Sequence, residues 1–126
     1  MFLLTLRQFG LRPNCLSSFS ILLKLQDLGA ERIFAAERNN EKIAVEVKSF
    51  LGPSATTQFD AALGQFLKYQ LALEDTEPDR LLYLAVPADT YRDFFSLELP
   101  RLLIQRYHVR LIVYDPEEEV ITQWQQ

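Results

Sequence analysis

Residues 42–54 read KIAVEVKSFLGPS. Ile43, Val45 and Val47 alternate with Ala44, Glu46 and Lys48, which is the period of a β-strand. The three branched residues make an apolar face that belongs to a core. The other face carries a carboxylate and an ammonium two residues apart. That face is either solvated, with a mild pair on it, or the floor of a site. Leu51, Gly52 and Pro53 then break the strand. Ser54 is placed to cap a helix through its hydroxyl, although Thr57 stands where a capping box would have Glu.

The neighbouring segments fit around this strand. ERIFAAER (31–38), NNE and then KIAVEVKSF read as strand, tight turn, strand, with Asn39 and Asn40 tolerating positive φ. Phe59, Ala62, Leu63, Phe66 and Leu73 recur at helical spacing and predict a helix over 55–74 with one buried face. RLLYLAVP (80–87) is a continuous apolar strand closed by Pro87, the kind covered on both sides. Asp89 reads as the cap of a second helix over 89–106, which Pro100 interrupts. VRLIVYD (109–115) is another strand, DPEEE a charged turn, and VITQW a short last strand or tail. A hairpin demands antiparallel pairing and helical crossovers demand parallel pairing. The expected fold is therefore α/β: a mixed sheet with flanking helices and strand 80–86 beside strand 42–49.

The chain has 126 residues, enough for one domain over 1–126. Within it, 1–26 is an atypical segment with broken apolar periodicity around Pro13, and 27–126 is the core. The single cysteine, Cys15, excludes an internal disulfide and a Cys-rich zinc site and fits a reducing, cytoplasmic compartment. A net charge of −4 opposes a general basic coat but leaves room for a local basic cleft. The apolar opening MFLL is short, with Arg7 after it and no basic residue before it, which is not the order of a signal peptide. No stretch is long enough to span a membrane, and no glycine-rich phosphate loop is present.

Asp27 precedes the first hairpin strand, and Glu46 and Lys48 close the second. A twisted hairpin can gather the three at one sheet edge. Two carboxylates with water and substrate phosphate suit Mg²⁺ or Mn²⁺. A neighbouring lysine orients or deprotonates water, or stabilises charge building on a phosphate. Asp…Glu-x-Lys across a hairpin, followed by a helix, is the pattern of the restriction-endonuclease-like PD-(D/E)XK nucleases.

Four segments carry a more specific resemblance: DLGAERIFAAERNNEKIAVEVKSFLGPS, ALGQFLKYQLALE, LLYLAVPADTY and RLIVYDPEEEVITQW. Together they resemble the XisH family, the fdxN element excision controlling factors of cyanobacteria, over about residues 27–126. The resemblance implies a restriction-endonuclease-like fold and a role in controlling excision of a DNA element during heterocyst differentiation. It implies DNA, a XisI-type protein and a site-specific recombinase as partners. Under it, Asp27, Glu46, Lys48 and Gln65 fall on active-site positions, with Asp27 and Glu46 as the metal carboxylates. Tyr69 lies one helical turn after Gln65 on the same side. Gln26 stands where the superfamily motif has proline. Family members begin with an amphipathic helix carrying an acidic residue, which 1–26 does not show in recognisable form. The alternative reading is a non-catalytic regulatory module that keeps the cleft and acts by binding a XisI-type partner or the recombinase.

The remaining polar residues have ordinary readings. His108, the only histidine, suits a solvated or capping role. Glu31 and Glu37 flank a strand and read as solvated. Cys15 has no nucleophile motif around it. Lys68, Arg101, Arg106 and Arg110 are surface cations that are candidates for phosphate contact. The aromatic residues fall on core positions, and Glu117–Glu119 decorate a turn.

Overall fold

The computed structural model describes Arg12–Pro13, Ile33–Arg38 and 40–125. Six strands form one sheet whose spatial order is the chain order: β1 (Arg12–Pro13), β2 (Ile33–Arg38), β3 (Glu41–Val47), β4 (Arg80–Pro87), β5 (Arg110–Asp115) and β6 (Val120–Gln125). The hairpin β2–β3 is antiparallel, β3–β4 and β4–β5 are parallel, and β5–β6 is antiparallel. Asn40 takes the left-handed turn conformation at φ 66°, which asparagine tolerates better than most residues. Both parallel pairs are joined by helical crossovers, as chain geometry requires. Asp27, Glu31 and Cys15 lie outside the described residues, as does nearly all of 1–26. Only Arg12 and Pro13 of that segment are described, paired with Glu37 and Ala36.

The first crossover is α1 (Ala55–Thr76), capped by Ser54, whose Oγ accepts the Thr57 N–H at 3.2 Å. Phe59, Ala62, Phe66, Tyr69 and Leu73 are its buried stripe; Leu63 is half-buried, at the stripe's margin. The second crossover departs from the single helix expected over 89–106. A helical turn over Ala88–Thr90 widens into a π-helical turn over Tyr91–Phe95, and α2 (Glu98–Arg106) follows after a break. Asp89 is inside that first turn and does not cap it; its Oδ1 accepts the adjacent Thr90 N–H at 2.8 Å. Pro100 lies in the first turn of α2, where a missing N–H leaves no helical hydrogen bond unmade. It therefore helps to start a helix, and the interruption falls at Ser96–Leu97. The widened turn brings Phe94 and Phe95 onto Phe59, with ring centroids 5.5 and 5.4 Å away.

Both faces of the sheet are core. Ala44, Leu82, Leu84, Val86, Leu111 and Val113 pack with the helices, while Ile43, Val45, Val47, Tyr83, Ala85 and Ile112 form a second cluster on the other face. The apolar face of the KIAVEVK strand is thus one of two cores.

Three polar devices fix the ends. Arg80 is 2% exposed at the start of β4. Its guanidinium donates to Glu77 Oε2 at 2.8 Å, to the Ile43 carbonyl at 2.8 Å and to the Ala36 carbonyl at 3.4 Å, clasping β2, β3 and β4. At the end of α2 the Val109 N–H reaches the Ile104 carbonyl and the His108 N–H the Gln105 carbonyl. This is a Schellman closure with His108, at φ 53°, in the place glycine prefers. The capping reading of His108 is the one observed. Asp115 Oδ1 similarly accepts the Glu117 and Glu118 N–H groups and shapes the acidic turn before β6.

Arg80→Met is expected to lose about 2–4 kcal/mol in urea unfolding, because it strands a largely buried carboxylate and two carbonyls. A loss within the scatter of surface substitutions would show the clasp to be dispensable. His108→Gly should gain about 0.5–1 kcal/mol, since glycine takes the left-handed cap without steric cost; a loss in the same experiment would contradict that account.

Candidate functional site

β3 is an interior strand, so the carboxylate does not lie at a sheet edge. Glu46 pairs with Ile33 on β2 and Leu84 on β4, and the row continues through Leu111 on β5 to Gln125 on β6. Its side chain follows Ala44 onto the face that α1 covers and is 0% exposed. Of the two possibilities for that face, solvation is excluded. Removing a carboxylate from water costs several kcal/mol unless charge or hydrogen bonding compensates it.

Lys48 lies one residue beyond β3, on the Glu46 face by alternation, and is half-buried. Its backbone is held: the Lys48 N–H donates to the Ala85 carbonyl at 3.0 Å, and the Tyr114 hydroxyl makes a long 3.5 Å contact to the Lys48 carbonyl. Two residues later Phe50 adopts φ 55°, an unusual conformation for a bulky side chain. Its ring meets Phe95 edge-on at 5.5 Å. That contact turns the chain away from the sheet and delivers Ser54 to cap α1.

From α1, Gln65 and Tyr69 come to the same side. Gln65 is half-buried, with its Oε1 out of contact with solvent. Tyr69 is fully buried, and its hydroxyl makes no hydrogen bond among the described residues. Burial, and then the negative charge of Glu46, push its pKa up from 10.0 to about 12. The phenol is thus a neutral O–H donor held within electrostatic reach of the Glu46 carboxylate. Glu46 and Gln65 offer the oxygen donors a hard cation takes. Among the described residues no group of three or more His, Cys, Asp or Glu side chains converges as a metal cage. Asp27, the other expected metal carboxylate, lies outside the described residues.

The structure therefore puts Glu46, Gln65 and Tyr69 on one side of the sheet, with Lys48 at its rim. Glu37 is half-buried on β2. Lys68, Arg101 and Arg106 are exposed. Sequence reasoning did not single out Arg80. An arginine opening an otherwise apolar, doubly covered strand was the available signal.

The XisH protein family model matches residues 18–122. Two solved structures are similar over nearly the whole chain. An XisH family protein from Nostoc punctiforme is 39% identical, with a TM-score of 0.81, covering 97% of this chain and 93% of that one. A fdxN element excision controlling factor protein from Anabaena variabilis is 40% identical, with a TM-score of 0.82, covering 99% of this chain and 95% of that one. A comparison with curated proteins gives no match.

Tyr69 supplies a test of the site's electrostatics. A buried phenol whose folded pKa exceeds its unfolded value contributes stability that is complete below pH 10 and is lost as pH rises towards 12. Ultraviolet titration of wild type against Tyr69→Phe should isolate a phenol ionising near pH 12. Glu46→Gln should lower that value only in part, because burial is the larger cause. A Tyr69 phenol ionising at the ordinary value, or one unmoved by Glu46→Gln, would contradict the arrangement.

Proposed function

The chain belongs to the XisH family, and we propose that it controls excision of a DNA element by acting on DNA at the Glu46 site. The observation that carries the proposal is the full burial of Glu46 at the centre of the sheet, with Lys48 held at the end of the same strand. A structural position there would favour an apolar residue, as Leu84 and Leu111 do in the same transverse row. An ionisable group kept fully buried in such a row supports a functional reading.

The chemistry proposed is Mg²⁺-dependent phosphodiester hydrolysis of the PD-(D/E)XK kind, on a restriction-endonuclease-like fold. When bound, Mg²⁺ or Mn²⁺ supplies charge neutralisation at the phosphodiester. Glu46 would hold it, with Asp27 as the second carboxylate. Lys48 positions or deprotonates water and meets negative charge on the phosphate. The amide of Gln65 orients the reacting group. The Tyr69 phenol stays protonated across the physiological range, a neutral group within electrostatic reach of Glu46.

One observation favours a second reading. Glu46 has no solvent exposure, so a nucleic acid reaches it only if its surroundings move. A module that keeps the cleft and regulates by binding a XisI-type protein or the recombinase needs no such opening.

Duplex DNA incubated with wild type and Mg²⁺ or Mn²⁺ should be cut, and chelation should stop the reaction. Glu46→Ala should abolish cleavage. Lys48→Ala should slow it about a hundredfold or more while metal affinity holds or improves, since a positive neighbour is gone. The regulatory reading expects no cleavage, a melting temperature indifferent to metal, and wild-type partner binding by Glu46→Ala.

A further inference from the structure

α1 turns Phe59, Ala62, Phe66, Tyr69 and Leu73 into the core and leaves its other side bare. Asp60, Gly64, Leu67 and Leu71 recur at spacings of four, three and four, so they share that outer side. All four are exposed, Leu67 at 39% and Leu71 at 63%. Single exposed leucines are ordinary; here two lie one helical turn apart, beside a glycine. Gly64 is near the middle of both the helix and the stripe. Glycine in a helix interior is destabilising relative to alanine. Among the described residues nothing asks for it: a Cβ at position 64 meets no atom within 4 Å. What a glycine on an outward helix face does allow is close approach by another backbone.

The charges of α1 also lack their complement. The helix has no acidic residue in its first turn and no basic residue in its last. Glu74 and Asp75 instead place negative charge at its C-terminal end, against the preference of the helix dipole. On the outer side Asp60 and Lys68 stand four residues either side of Gly64. Neither has an opposite charge three or four residues away along the helix. Neither forms an ion pair among the described residues.

We propose that the outer side of α1 is a homodimer interface, on which a second copy of this chain lays its own α1 antiparallel across a twofold axis at Gly64. The interface does not depend on the DNA-acting role. A twofold interface must be self-complementary, and α1 reversed upon itself is. Each residue before Gly64 faces the residue equally far after Gly64 in the second copy. Asp60 meets Lys68 of the second copy, twice by symmetry. Leu67 packs on Ala61 of the second copy and Leu71 on Thr57, all exposed in the single chain. The two Gly64 backbones meet at the axis with no side chain between them. Glu74 and Asp75 come beside the start of the other α1, at Ser54, where the dipole favours negative charge. Leu51, 88% exposed just before that helix start, adds apolar surface at each end. A parallel pair would set Asp60 against Asp60 and Lys68 against Lys68 and would bring both acidic ends together.

The test is sedimentation velocity of the full chain over a concentration series. Wild type should sediment as a dimer that dissociates on dilution. Asp60→Lys and Lys68→Asp each set like charges together at both pairs and should raise the dimer Kd about tenfold or more. The double variant Asp60→Lys/Lys68→Asp should recover the wild-type Kd, and an equimolar mixture of the two single variants should form heterodimers. Gly64→Gln suits an exposed helix position better than glycine, so it keeps the fold, while its side chain holds the two backbones apart and leaves a monomer. A wild type that is monomeric throughout the series, or a dimer that all three single variants leave unchanged, would overturn the interface. Loss of association in the charge variants with no recovery in the double variant or the mixture would overturn it as well, since antiparallel pairing requires both recoveries.

Discussion

Burying the carboxylate of Glu46 is the constraint to which the surrounding structure answers. The desolvation cost of such a group is several kcal/mol, against a typical net stability of about 5–15 kcal/mol for a domain. The sheet places β3 between β2 and β4, so Glu46 sits on a strand paired on both sides, with core on the opposite face. The helix closes that face with Ala62, Phe66 and Tyr69, all buried. Tyr69 brings a polar hydroxyl to that face.

The end of β3 turns this buried charge into a site with a rim. The parallel ladder persists one residue past the strand, through the Lys48 N–H and Ala85 carbonyl. The chain then reverses through the left-handed Phe50, held by its edge contact with Phe95. That aromatic residue comes from the π-helical turn of the second crossover, so the widened turn and the strained loop form one unit. Ser54 then starts α1 where its buried stripe lies over Glu46. Lys48, Gln65 and Tyr69 take their places from this sequence of turns.

Much of this was legible in the sequence. Period-two alternation gave strand β3, Asn39–Asn40 the hairpin, and the continuous apolar run of 80–87 its doubly covered neighbour, because each pattern follows from backbone geometry. The Ser54 cap was legible because its hydroxyl has a local partner. The second crossover was not. Pro100 is read as a breaker when its position in a helix is unknown, and becomes a starter once the break at Ser96–Leu97 places it in a first turn. The widening at Tyr91–Phe95 depends on packing against Phe59, which no local signal carries. Glu46 and Lys48 were visible as an anomaly, but a two-residue period cannot tell a wet face from one covered by a helix 20 residues on. Arg80 escaped notice because its partners, Ala36, Ile43 and Glu77, converge only in the folded sheet.

The proposed role makes Glu46 a functional residue whose charge the fold does not need. Equilibrium urea unfolding of wild type and Glu46→Gln, without metal, addresses this directly. The amide preserves shape and removes the buried charge. The account predicts a variant at least as stable as wild type, with an unchanged denaturant slope. A loss of about 3 kcal/mol or more, the signature of a broken buried ion pair, would make Glu46 a structural residue and contradict it.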